Sequence, residues 1–298
     1  MQSKTPVNQE TTKGVLYGLA AYTMWGSFPL YFALFEGIPA WEVLIHRVIW
    51  SCLFLAIVIS LLKRWSTVMA ALKQPKRLGF VLGCALFIAV NWGVYIYAVE
   101  TRHVLQASLG YFLTPLVNVA MGLLILGERI SRLQVVAVVL AAVAILYQFI
   151  LLGELPWITL VLAFSFGTYG LLRKKVELDG LSGLFVETLL LLPLGLLTLA
   201  WLSAQGISHF TGSARSTLLL LSSGVVTAIP LLAFAGAARR LKLSTVGFLM
   251  YINPTIQFLI ALYVFHEPLS TEKLISFVMI WVALAIYSWS AWAGRVRR

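Results

Sequence analysis

Apolar residues along this chain come in long blocks, and polar or charged residues are largely confined to the short gaps between them. A block of about 20 residues is the length of α-helix that crosses a hydrocarbon core of about 30 Å. The pattern predicts an all-α, polytopic membrane bundle of ten transmembrane helices. Their predicted bounds are 14–35, 39–62, 78–99, 103–126, 132–150, 155–172, 181–203, 216–238, 243–265 and 273–293.

Composition excludes a soluble globular domain, because 60% of the 298 residues are hydrophobic and only 11% are charged. The net charge of +11 would raise the question of nucleic acid in a soluble protein. Here the basic residues lie in short connections without interleaved aromatic residues, so we expect no nucleic-acid partner. Membrane lipids are the expected partners of these loops.

Charge asymmetry predicts the orientation of the bundle. If the N-terminus is cytoplasmic, 18 of the 22 basic residues fall on the inner side, and only Arg102, Arg215 and Lys273 fall in outer loops. The segment 1–13 lacks the short apolar run of a signal peptide. We therefore expect cytoplasmic tails at 1–13 and 294–298.

An internal repeat divides the chain. Two segments 139 residues apart match at three pairs of positions, which are Pro115 with Pro254, Glu128 with Glu267, and Ser131 with Ser270. The repeat predicts two units of five helices each, 14–150 and 151–293. Because five is odd, the second unit enters the bilayer from the opposite side. Inverted repeats around a central cavity are typical of secondary transporters.

The repeated helix, with a proline in mid-span and Gly-Glu or His-Glu at its end, resembles the EamA family of the drug/metabolite transporter superfamily. Further similarity lies in WGSFPLYF at 25–32, HRVIWS at 46–51, SLGYFLTPLVN at 108–118, SFGTYGLLRKK at 165–175 and SFVMIWVALAIY at 276–287. The resemblance implies ten helices around a cavity, alternating access, export and a bacterial inner membrane. The second copy departs from the first, since it reads His266-Glu267-Pro268 where the first reads Gly127-Glu128-Arg129.

Ionisable residues inside a membrane are costly, so they are candidates for function. Arg47 is a candidate anchor for an anionic substrate group or a partner in a gate, and His46 or Glu187 is a candidate proton carrier. The alternative for Glu42 and Arg47 is that they lie at head-group depth and snorkel to water. Glu128 and Glu267 are interpreted as structural residues that fix the turn into the next helix.

Polar and aromatic residues at mid-membrane depth are candidates to line the cavity. They are Asn91, Trp92, Tyr95, Thr114, Asn118, Tyr251, Asn253 and Gln257. Pro115, Pro230 and Pro254 are expected to bend their helices and to free a carbonyl group. The alternative is that the polar side chains only join neighbouring helices by hydrogen bonds.

We predict a secondary transporter of a small organic metabolite or drug-like solute, with protons as the candidate coupling ion. No GxxxxGK[ST] sequence is present, so direct coupling to ATP is not expected. An intramembrane enzyme acting on a lipid-borne substrate and a channel are the alternatives. The sequence has no HExxH or paired carboxylates for the first and no ring of like charges for the second. No cofactor and no metal are predicted.

Overall fold

The computed structural model describes residues 6–127, 131–176, 178–241 and 243–296, and these residues are almost entirely helical. Numbered along the chain, the helices are α1 Pro6–Gly26, α2 Phe28–Phe32, α3 Ala40–Leu61, α4 Trp65–Leu72, α5 Pro75–Glu100, α6 Val104–Leu126, α7 Arg132–Leu152, α8 Trp157–Val176, α9 Gly180–Gln205, α10 Ala214–Ala238, α11 Leu243–Leu249, α12 Ile252–Tyr263 and α13 Thr271–Val296. A 3₁₀ turn, Ala33–Phe35, follows α2.

Eight stretches within the described residues are helical, long and apolar enough to cross a membrane. They lie in α3, α5, α6, α7, α9, α10 and α13 and in the joined segment Thr245–Tyr263. The apolar part of α8, Trp157–Arg173, is shorter, and α1 begins with polar residues. These helices confirm an all-helical, multi-pass membrane protein.

Three predicted elements differ from the structure. The first helix begins at Pro6 and ends at Gly26, before the short α2, which carries Pro29 in its first turn. The ninth is two helices, because it is interrupted at Met250 and Tyr251. The segment 63–77, predicted as a loop, contains α4. Short helices at the ends of spans have no apolar block of their own, so hydropathy misses them.

The helices of the first half of the chain pack largely against helices of the second half. α3 lies against α9 and α10, and α5 and α6 both pack on α8. α1 contacts α10 and α12, while α6 contacts α12 and α7 contacts α13. A Cβ atom at Gly224 would lie 2.3 Å from the carbonyl carbon of Trp50, so glycine is what allows α10 to approach α3 so closely.

Candidate functional site

Arg47 is buried inside the bundle. It is the seventh residue after Ala40, the first residue of α3, which places it about 10 Å along the helix axis. Its relative exposure is only 3%. A charged side chain at such a position needs a partner that offsets the lost hydration.

The partners of the Arg47 guanidinium are mainly aromatic rings. Its Cζ atom lies 4.0 Å from the ring centroid of Trp92, 5.3 Å from that of Phe32 and 5.6 Å from that of Phe28. Arg47 Nε donates a hydrogen bond to Thr227 Oγ1 at 2.9 Å. Because an aromatic face attracts cations, these rings stabilise the charge without neutralising it.

Among the described residues, no carboxylate lies within the 4.0 Å of an ion pair from Arg47. The two fully buried glutamates already have other partners. Glu42 binds His209, and Glu187 binds Arg173. Arg47 is therefore a buried cation that no described anion neutralises.

Two tyrosines and an asparagine adjoin the aromatic rings around Arg47. The Tyr111 hydroxyl donates to Asn91 Oδ1 at 3.0 Å, and Asn91 Nδ2 donates to Leu162 O and to Ser165 Oγ, each at 3.1 Å. The buried Tyr95 hydroxyl has no hydrogen-bond partner within the described part of the chain. The Tyr95 ring packs against Phe32 with ring centroids 6.0 Å apart, and the Tyr111 ring packs against Tyr95 at 5.8 Å.

Four of the predicted site residues are thus brought together, namely Arg47, Asn91, Trp92 and Tyr95. We call them, with Phe28, Phe32, Tyr111 and Thr227, the Arg47 cluster. Asn91 joins α5 to α8 through its hydrogen bond to Leu162 O, as helix-joining asparagines do. That Asn91 also lines a cavity stays a prediction.

Glu187 lies apart from the Arg47 cluster. It is fully buried in α9, where its Oε1 atom is 2.6 Å from Arg173 Nη1 and its Oε2 atom accepts a hydrogen bond from Tyr169 at 3.3 Å. Arg173 also donates to the Asp179 and Gly180 carbonyl groups. The group joins the end of α8 to the start of α9.

His46 and Glu42 hold the loop between α9 and α10. Glu42 is fully buried and accepts hydrogen bonds from the His209 backbone N–H at 2.7 Å and from Ser208 Oγ at 3.2 Å, while its other oxygen lies 2.6 Å from His209 Nδ1. The His46 ring stacks on Phe210 at 4.8 Å. The expectation that Glu42 snorkels to water is wrong, because the loop covers its carboxylate.

The remaining predicted site residues, Tyr251, Asn253, Gln257 and Asn118, are not members of the Arg47 cluster. Tyr251 bonds to Ser288, and Gln257 Nε2 donates to Asn253 Oδ1 at 2.7 Å. Asn118 is exposed.

The three prolines differ in their effect on the backbone. Pro115 lies within α6 and Pro230 within α10, and each helix continues through its proline. Pro254 is the third residue of α12, where no intrahelical amide donor is needed, so it costs no helical hydrogen bond.

Glu267 accepts hydrogen bonds from the backbone N–H groups of Val104 and Leu105, at 2.6 and 2.8 Å. It therefore caps the start of α6, where a carboxylate is favoured, rather than fixing the turn that follows it. Burial raises the pKa of its carboxyl group, and the two amide donors oppose that rise. Glu128 and Arg129 lie outside the described residues.

The sequence pattern did not indicate four members of the Arg47 cluster, namely Phe28, Phe32, Tyr111 and Thr227. Phe28 and Phe32 fall in WGSFPLYF, where a proline after an apolar run marks a helix interruption. Thr227 lies one turn before Pro230 in an apolar block. Nothing local in the sequence connects it to Arg47, 180 positions away.

Comparisons with known proteins place this chain in a family. A model of the EamA-like transporter family matches residues 12–150. An uncharacterized transporter of Vibrio cholerae is 45% identical over 285 residues, which cover 95% of this chain and 94% of that protein. The chain therefore belongs to the EamA-like transporter family.

Within the family the chain is RarD-like. Protein RarD of Salmonella typhi is 47% identical to it over 280 residues, covering 94% of this chain and 95% of that protein. A solved crystal structure with 18% identity aligns with a TM-score of 0.57 over 92% of this chain and 96% of that chain, which supports the fold alone.

Proposed function

We propose that this protein is a secondary transporter that moves a small organic solute by alternating access, with Arg47 in the substrate site. One observation carries the proposal, namely a buried guanidinium that faces aromatic rings and has no carboxylate partner among the described residues. Such a charge is expensive to keep inside a membrane, so its retention favours a role in function.

The site lies between the two halves of the chain, where alternating access requires it. Arg47 and its three rings belong to the first half, and Thr227 belongs to the second. If the two halves rock against each other, the Arg47–Thr227 contact changes and the environment of the guanidinium changes with it. Transporters built from inverted repeats bind their substrates at this interface.

We propose ten crossings arranged as inverted units, 14–150 and 151–293, with α1 and α2 forming the first crossing and α11 and α12 the ninth. The packing supports this proposal, since contacts come in matched pairs under exchange of the units. α5 on α8 matches α10 on α1, and α6 on α8 matches α12 on α1. The inner-membrane location and cytoplasmic termini, predicted from charge and family resemblance, belong to the same proposal.

In the proposed orientation the outer end of the bundle is closed. Glu42 and the His46 ring hold the loop between α9 and α10, and Glu267 holds the start of α6. Export, the proposed direction, requires that these contacts open after the solute has bound from the cytoplasm. Protons are the proposed coupling ion. His46 is the candidate carrier, because its buried Nε2 atom has no partner among the described residues.

The experiment is release of solutes from proteoliposomes loaded with a bacterial metabolite extract, followed by mass spectrometry. We expect at least one small organic solute to leave faster than it leaves protein-free liposomes. If every solute leaves at the protein-free rate, the transporter proposal is wrong.

Proton coupling is tested with that solute under an imposed pH gradient. We expect uphill movement while the gradient lasts and none after an ionophore collapses it. Uphill movement that persists without any gradient would contradict proton coupling.

A further inference from the structure

We propose that the Arg47 cluster binds a monoanionic carboxylate whose body is aromatic or apolar, in preference to a zwitterion, a dianion or a neutral solute. This inference rests on the proposed transport function and names the substrate class of the same site.

The first step is charge. Among the described residues, Arg47 is the one Lys or Arg that is buried, and no described carboxylate pairs with it. A carboxylate offers two oxygens to the planar fork of a guanidinium and forms short, charge-assisted hydrogen bonds with it. A neutral solute would leave the buried charge uncompensated.

The second step is the number of cations. The least exposed cation after Arg47, among the described pairs, is Arg173, whose guanidinium lies 2.6 Å from the Glu187 carboxylate and is therefore already neutralised. A single cation matches a single negative charge. A phosphate monoester, with a charge near −2, would bring one charge into the bundle without a partner, at a high desolvation cost.

The third step concerns ammonium groups. A zwitterionic amino acid needs an anion or an aromatic face for its ammonium group, besides a cation for its carboxylate. Glu42 and Glu187 both have other partners, and the faces of Trp92, Phe32 and Phe28 lie against Arg47. Among the described residues the cluster therefore offers no free carboxylate for an ammonium group, and the three rings nearest to Arg47 already face a cation.

The fourth step is the aromatic character of the cluster. Phe32, Tyr95 and Tyr111 lie in edge or tilted contact, with ring centroids 6.0 Å apart for the first pair and 5.8 Å for the second. Apolar rings favour an apolar body, preferably a planar one. The unpartnered Tyr95 hydroxyl supplies one more donor for a carboxylate oxygen.

The test compares four closely matched probes on the purified full-length protein, using the thermal shift at increasing probe concentration to derive Kd. The probes are 3-phenylpropanoate, its neutral amide, phenylalanine, which adds only an ammonium group to the acid, and 2-phenylethyl phosphate. We expect 3-phenylpropanoate to bind about tenfold or more tightly than each of the other three.

Two variants test whether the Arg47 cluster causes the preference for the acid. Arg47→Gln is expected to remove the preference of the acid over the amide. Arg102→Gln, which removes a guanidinium 4.5 Å from the Phe265 ring in an outer loop, is the matched control and is expected to keep it. If Arg47→Gln does not fold, Tyr95→Phe serves instead, and the preference for the acid should fall several-fold.

Three results would overturn the proposed class: equal affinity for acid and amide, tighter binding of phenylalanine or of the phosphate, or an unchanged preference in Arg47→Gln and Tyr95→Phe. These outcomes are separate from failure of the transport proposal. That failure is scored by release of any solute from loaded proteoliposomes, whatever its class.

Discussion

Two buried charges at matching places in the chain have opposite surroundings. Arg47 is the seventh residue after the start of α3, and Glu187 is the seventh after the start of α9. Glu187 pairs with Arg173 at 2.6 Å. Arg47 has a threonine hydroxyl and three aromatic rings instead.

The difference is between a buried charge with a counter-ion and a buried charge without one among the described residues. A buried ion pair has no net charge, so it needs no further counter-ion from a solute. Removing one partner is costly because the other charge is left buried and unpaired. A cation that contacts only aromatic rings can still bind an anion, because cation–π contacts do not change its net charge. We therefore infer that Glu187 joins helices, whereas Arg47 receives the solute.

The largest expected effect is the loss of stability when the ion pair of Glu187 is broken. Arg173→Ala leaves a fully buried carboxylate without its cation, and we expect the free energy of unfolding to fall by about 3–5 kcal/mol. SDS titration in mixed micelles measures it. The control is Arg64→Ala, which breaks the exposed pair with Asp179 and should cost within about 1 kcal/mol. Equal losses in both variants would remove the distinction between the pairs.

A smaller loss of stability is expected at the close contact between α10 and α3, the helix that carries Arg47. Gly224→Ala places a Cβ atom 2.3 Å from the Trp50 carbonyl group, so α10 must move away from α3 and carry Thr227 away from Arg47. We expect a loss of about 1–3 kcal/mol in SDS titration, together with slower solute release.

The matched control for this variant is Gly170→Ala in α8, where a Cβ atom meets nothing within 4 Å. Its stability should stay the same or rise by up to about 1 kcal/mol. Normal release by Gly224→Ala would show that Thr227 does not position Arg47.

The smallest effect concerns Glu267, a carboxylate held by amides rather than by a cation. Burial raises its pKa, so the folded protein holds this proton more tightly than the unfolded chain does. Its contribution to stability is then greatest below pH 4.5, the ordinary value, and is lost as pH rises through the raised pKa. The Tm of the wild type minus that of Glu267→Gln should fall as pH rises above 4.5. A constant difference would contradict the raised pKa.

Hydropathy predicted the helices wherever an apolar block had the length of a crossing. It missed α2, α4 and the interruption at Met250, because these depend on local turns and packing rather than on apolar length. Arg47, Asn91, Trp92 and Tyr95, which the structure brings together, could be selected as candidates because polar and aromatic groups are uncommon within an apolar span. The aromatic neighbours of these residues could not be predicted, because the sequence does not distinguish a phenylalanine that faces lipid from one that packs inside the bundle.

The sequence also did not indicate which of the buried charges form ion pairs. Arg47 and Glu187 look alike as isolated charges in apolar blocks. Only the fold shows that Glu187 has a counter-ion and that Arg47 has none in the described part of the chain. Hydrogen bonds such as that from Arg47 to Thr227 join helices far apart in the chain, so their detection requires tertiary structure.

The most direct test of the central claim measures Arg47→Gln in two ways, by the initial rate of release of the solute that the wild type transports and by the free energy of unfolding. We expect the rate to fall about tenfold or more, because a charge-assisted contact to the solute is lost. Stability should be unchanged or higher, because no described carboxylate loses a partner. Release at the wild-type rate, or a loss of stability as large as that of Arg173→Ala, would contradict the assignment of Arg47 to the substrate site.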